Sequence, residues 1–285
     1  WSRKSWNDGS THWLNSIFIF FLHLFNLTYN IPLKYNLNFL MRFNFYIILL
    51  LLVSFVAKAD QILELIKIPN LTLHKLDNKN NLAYLKPTKD FFVGSSLKNI
   101  SCKANIPQKF NSKYLQAQKN FNRYSNNFFR KINLKYILLC NELKIGGIPA
   151  LGFANPEMKT LILNTNSNSL NFVRVLHHEI FHVIEYNYKN ELSSISWNNL
   201  NSNSFKYSEC STCSNSYSLD RIYNSNGFVS EYAKSTISED MAETFSFMMS
   251  DNSLILDMIT NDQILNKKVM IIKNIIKDID DNHQF

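Results

Sequence analysis

The chain has 285 residues, 46% of them hydrophobic, with 30 Lys/Arg against 22 Asp/Glu and a formal net charge of +8. That length allows one enzyme-sized domain with a sizeable core. Five of the basic residues and one Asp lie in the first 59 positions, so the remainder carries about +4, and no run of basic residues interleaved with aromatics stands out; a nucleic-acid partner is not expected.

The sequence begins at Trp1, and residues 1–40, with the apolar run from Ser16 to Phe25, read as an upstream segment outside the mature protein. Met41 and Arg42 open a second stretch, followed by the apolar core FNFYIILLLLVSFV and the small-x-small site Ala57-Lys58-Ala59. These are the three parts of a secretory signal peptide over 41–59, with cleavage expected after Ala59. The apolar core is shorter than the roughly 20 residues of a spanning helix, so no stable membrane insertion is expected once the signal is removed. An uncleaved leader would make the chain a membrane-tethered protein instead. No cysteine follows the apolar core, which argues against a lipoprotein anchor. The mature domain is then expected to be 60–285, secreted or periplasmic.

All four cysteines, Cys102, Cys140, Cys210 and Cys213, follow the leader. In an oxidising compartment they are expected to pair as Cys102–Cys140 and Cys210–Cys213. A zinc knuckle built on CSTC lacks a second pair at ligand spacing.

From Asp60 the apolar residues Ile62, Leu63, Leu65 and Ile66 suggest a short amphipathic element, after which the chain turns polar to Leu85. Pro107 to Ile132 reads as one helix, with Phe110, Tyr114, Leu115, Phe121, Phe128 and Phe129 near helical spacing. A strand is expected over Lys135–Leu143, a hairpin-like connection at Gly146-Gly147 and Gly152, a turn at Asn155-Pro156, and a second strand over Met158–Asn166. The strand just before the next helix is where an extended peptide could pair through its main chain. An ordinary structural strand is the equal alternative.

That helix holds HHEIFHVIE, residues 177–185. His178, Glu179 and His182 form HExxH, which places two imidazoles one turn apart on a single face with a carboxylate beside them. Ser169 or Asn171 is available as its N-cap. Phe172, Val173, Val175, Leu176, Ile180, Phe181, Val183 and Ile184 cover most of its circumference, so the helix is expected to be buried, and polar groups buried there need partners or a metal. His177 lies about 100° around the helix and is left out of the metal shell.

Residues 188–226 are rich in Asn and Ser, with Trp197, Leu200, Phe205 and Tyr207 as scattered anchors: a lid, a substrate wall, or plain surface. In GFVSEYAKSTISEDMAETF, Thr236 or Ser238 caps another helix and Glu239 and Glu243 share one face. Zinc at a catalytic site takes three protein ligands. Glu239 is the candidate third, and Glu243 the partner that orients a ligand imidazole. The alternative for Glu239 is a capping box with Thr236, but Asp240 and Glu243 supply more acid than a cap requires, which favours the metal role. Apolar residues from Ile264 to Ile279 at helical spacing close the chain as a docked helix, with partner binding as the minor alternative.

HEIFH followed by EYAKSTISEDMAETF resembles the gluzincin pattern, and is most similar to the zinc-binding metallopeptidases of bacterial envelopes and the catalytic domain of anthrax toxin lethal factor. WNNLNSNSFKY, residues 197–207, is similar to the segment between those motifs, differing by Ser202 in place of proline and by the inserted CSTC. The resemblance spans roughly 131–249. It implies an α+β zincin-like fold, with a strand-containing upper lobe (about 60–190) that carries the HExxH helix and a mainly helical lower lobe (about 191–285). It also implies one Zn2+ on His178, His182 and Glu239, Glu179 as general base, and Tyr232, seven residues before Glu239, as a hydrogen-bond donor to the oxyanion. The expected activity is peptide-bond hydrolysis on a peptide or protein substrate. The rival from another class is a catalytically silent zinc-binding envelope protein on the same scaffold.

Overall fold

A computed structural model describes residues 70–94, 99–193, 197–212, 222–283 and 285, all within a unit that runs from Leu65 to Phe285. The upstream segment, the signal peptide, the amphipathic stretch at 62–66 and Cys213 lie outside the described residues. No helix among the described residues is long and apolar enough to cross a membrane.

The described residues begin with the hairpin β1 (Leu71–Leu76) and β2 (Ala83–Pro87), continue through the short strands β3 (Phe91–Val93) and β4 (Ile100–Cys102), and enter helix α1 (Pro107–Phe121). The stretch up to Leu85, expected to turn polar, thus holds strands; β1 carries Leu71, Leu73 and Leu76 yet is almost wholly exposed. Pro107 at the start of α1 needs no amide partner there. The single helix expected over 107–132 is two: α1 stops at Phe121, and α2 (Phe128–Lys131) follows. Between them the amides of Arg123 and Tyr124 donate three residues back, to Asn120 and Phe121. Such tightening ends a helix where Asn and Ser compete for backbone partners.

Next come β5 (Tyr136–Cys140), β6 (Leu143–Ile145), β7 (Ile148–Ala150), β8 (Gly152–Asn155) and β9 (Thr160–Asn164). The stretch read as one strand over 135–143 thus divides between β5 and β6. Gly146 and Gly147 both have positive φ, the geometry of the tight turn joining β6 to β7. The main sheet has the order β1-β2-β5-β9-β8. Its centre, β2, β5 and β9, is parallel, and β5 and β9 are buried along their whole length, as both faces are covered. β8 returns antiparallel to β9 and is a free edge. The strand next to the HExxH helix in sequence, β9, is therefore interior, and the edge is its hairpin partner.

Alternate residues of β5 serve opposite faces. Ile137 and Leu139 join the large helical core, whereas Leu138 and Cys140 join a smaller one shared with the antiparallel sheet β3-β4-β6-β7. A Cys102–Cys140 disulfide ties that sheet to β5, as expected. For a separation of 38 residues, loop-entropy arguments assign it about 4 kcal/mol. Cys210 is also disulfide-bonded.

On the helical face lie α3 (Ser169–Asn187), α4 (Lys189–Ser193), a 3-10 turn at Trp197–Leu200, the hairpin β10 (Ile222–Ser225) and β11 (Phe228–Ser230), and helices α5 (Ile237–Ser250), α6 (Asn252–Asn261) and α7 (Gln263–Ile279). α3 is capped by neither Ser169 nor Asn171 but by Asn168, whose side chain accepts from the Asn171 amide at 2.7 Å. Thr236, one of the two candidates, caps α5. Asp251 and Asp262 cap α6 and α7, and the closing helix expected over 264–279 is α7. α7 turns Leu265, Val269, Ile272, Ile276 and Ile279 into the large core and packs on α5, the docked arrangement. α3 and α5 pack against one another, which sets the geometry of the site.

Candidate metal centre

His178 and His182 project from α3 and Glu239 from the first turn of α5, and these three are the one group of His, Cys, Asp or Glu able to hold a metal among the described residues. His178 Nε2 is 3.1 Å from His182 Nε2 and 3.0 Å from Glu239 Oε2; His182 Nε2 is 3.4 Å from the same oxygen. All three side chains are at most 19% exposed. Tetrahedral zinc with nitrogen and oxygen ligands at about 2.0–2.2 Å separates its donor atoms by about 3.3 Å, close to this triangle.

The chemistry of the donors points the same way. The Nδ1 of His178 faces the carboxylate of Glu243 at 2.9 Å, and with its proton there the Nε2 lone pair is free. The Nε2 of His182 faces that lone pair, and Glu239 Oε2 is buried without a hydrogen-bond donor. Three electron-rich atoms within van der Waals contact need a proton or a cation between them. Burial pushes the His178 imidazole down, but the carboxylates of Glu239 and Glu243 outweigh it and raise it to about 9. Burial likewise opposes ionisation of Glu239, yet the two histidines hold it well below the carboxylate range. The residues present fit zinc.

The capping-box alternative for Glu239 resolves here. Its backbone amide donates to Thr236 Oγ1 at 3.2 Å, while its side chain turns to the histidines. One residue serves the cap with its backbone and the metal cluster with its carboxylate.

Glu179 is buried beside the cluster, and burial raises its carboxyl although His178 and His182 pull it down. Tyr232, in a 3-10 turn after β11, brings its ring centroid to 6.0 Å from that of His178. Burial, with the nearby charges of Glu239 and Glu179, pushes its phenol above the ordinary value, and its hydroxyl shares a hydrogen bond with Ser211. Glu243 accepts from Ser230 Oγ at 2.6 Å with its other oxygen. His177 is fully buried on another face of α3, its Nδ1 2.6 Å from Tyr124 Oη: a satisfied core histidine.

Two supports are missing from the pattern reading. Glu185 Oε2 lies 3.4 Å from His182 Nδ1 and accepts from Ser238 Oγ at 2.5 Å, and Ser238 Oγ is itself 3.3 Å from that Nδ1. Glu185 is three residues after His182, a spacing that brings side chains together on a helix and could have flagged it. Asp240, counted above as surplus acid, faces away from the metal cluster. Its Oδ2 accepts from Trp197 Nε1 at 2.8 Å, Tyr207 Oη at 2.6 Å and Lys268 Nζ at 2.7 Å, so it fastens the 197–207 segment and α7 to α5. The anchors Trp197 and Tyr207 are thus held by a buried charge pair, which no local pattern reveals.

A family model described as "Putative zinc-binding metallo-peptidase" matches residues 114–279, which takes in β5, β9, every group of the cluster and α7. No curated protein matches. Among solved structures, a protein of Bacteroides caccae ATCC 43185, described in the same words as the family, is similar at 17% identity with a TM-score of 0.40, over 60% of this chain and 70% of that one.

Proposed function

The chain belongs to this zinc-binding metallo-peptidase family, and from that premise we propose that it is a secreted or periplasmic zinc endopeptidase of the gluzincin type, acting on peptide or protein substrates. The observation that carries the reading is the convergence of His178, His182 and Glu239 on one point, with the Glu179 carboxylate buried alongside.

His178, His182 and Glu239 hold one zinc ion, with Glu243 and Glu185 orienting the two imidazoles. Zinc, when bound, supplies a Lewis acid that polarises a peptide carbonyl and lowers the pKa of water. Glu179 takes the proton of the attacking water and returns it to the leaving amine. Tyr232 donates a hydrogen bond to the oxyanion as it forms. An extended peptide lies along the free edge of β8, where main-chain hydrogen bonds make little demand on sequence. The cleft lies between a strand-bearing lobe with α3 and a helical lobe with α5. Export rests on the leader at 41–59 and accords with the Cys102–Cys140 bond.

The deciding experiment pairs metal analysis with digestion of an unbiased peptide library. The wild-type chain should hold one zinc and cleave, and Glu179→Gln should keep the zinc while losing about 10²–10⁴-fold in turnover. Stoichiometric zinc with no cleavage by the wild type would establish the silent binding protein instead. Cleavage by Glu179→Gln near the wild-type rate would remove the general-base role.

A further inference from the structure

β8 lies directly against α3, and the two residues of that strand on the helix side are Gly152 and Ala154. Gly152 contributes an absence. A Cβ built on it would lie 2.6 Å from Glu179 Cγ, 2.8 Å from Glu179 Oε1 and 2.6 Å from Val175 Cγ1, closer than non-bonded atoms approach. The φ of Gly152 is outside the left-handed region, so its backbone is open to any residue and the glycine answers to space alone. Glu179 has little freedom to yield: it is 9% exposed and its Cα is fixed in the middle of α3.

Resting on the reading of Glu179 as general base, we infer that Gly152 is a positioning residue for it: the missing side chain is the slot in which the Glu179 stem and carboxylate lie. Any side chain at 152 drives the carboxylate off the point where a water is to be deprotonated. A displacement of about 1 Å at such a group costs about 10²-fold in rate. None of the three atoms nearest a Cβ at position 152 belongs to a candidate metal ligand, so zinc should stay.

Gly152→Ala in the full chain should therefore keep one zinc and a KM within threefold of the parent, while kcat falls by about 10²-fold. Added to Glu179→Gln, the substitution should cost nothing more, because its route of action is gone. A kcat within twofold of the parent, or full additivity with Glu179→Gln, overturns the inference. A second arm needs neither zinc nor turnover. In a Val175→Ala background, where Glu179 is the remaining close neighbour, Gly152→Ala should lower the urea midpoint, and that loss should vanish on further change of Glu179→Ala. Equal losses with and without the Glu179 side chain, or failure to fold in both, overturn it; failure to fold only when Glu179 is present is the expected conflict in its strongest form. If the wild-type chain cleaves nothing, the peptidase reading falls and the unfolding arm alone decides on the slot.

Discussion

Glu243 Oε1 sits 2.9 Å from His178 Nδ1 while Glu243 Oε2 takes the Ser230 hydroxyl, so a carboxylate from α5 sets the orientation of an imidazole on α3. Burial alone would raise this carboxyl, but His178, Arg174 and Ser230 hold it below the usual range, so it stays an acceptor. Glu243→Ala should weaken zinc binding by about 10–100-fold, the usual cost of losing such a support. Competition against a chromophoric chelator measures it; unchanged affinity would show that His178 is oriented without Glu243.

Tyr232 tests the oxyanion assignment. Tyr232→Phe removes one hydroxyl and should lower kcat by about 10²–10³-fold, with KM and zinc content nearly unchanged. Because that hydroxyl also meets Ser211, Ser211→Ala is the control. A loss of equal size in Ser211→Ala would assign the effect to the loop and not to the oxyanion.

Lys268 is wholly buried and pairs with Asp240 at 2.7 Å, with Phe228 4.0 Å below its ammonium. Lys268→Met leaves the Asp240 charge without its cation and should cost about 3–5 kcal/mol in urea unfolding. The double change Lys268→Met with Asp240→Asn should cost less than the sum of the two single changes. Simple additivity would mean the two groups act independently.

His283 supplies a pH-dependent term outside the candidate metal cluster. Burial pushes its imidazole down to about 4, more than Asp280 pulls it up, with Arg123 adding to the depression. Between about 6.5 and 4 the unfolded chain binds a proton at this site that the folded chain does not, so stability is lost as pH falls through that window. Its ring neighbours are Tyr124, Phe128 and Phe285, so phenylalanine can take its place. His283→Phe should therefore show a shallower fall in melting temperature from pH 6.5 to 4.5. Identical slopes would place the acid sensitivity elsewhere.

The candidate metal ligands, the candidate base and the exclusion of His177 were legible in the chain because they depend on local periodicity: HExxH is a statement about one face of one helix, and Glu239 with Glu243 is the same statement about another. The Cys102–Cys140 bond followed from compartment and count. The strands flanking these helices were less legible: β1 has no buried face, and the residues of β5 and β6 read as one apolar run. The pairing of β9 with β8, which makes β8 the edge, depends on contacts between segments that carry no mark of each other in sequence. The same holds for Asp240, whose acid reads as part of the metal cluster until Lys268, 28 residues later, is seen to neutralise it. Gly152 is the sharpest case, since a glycine in a strand says only that something comes close. Local spacing determined which atoms of this chain can bind and move a proton; the packing of β8 and α5 against α3 decided how they meet, because distances between segments are set by the whole core and not by any stretch of it.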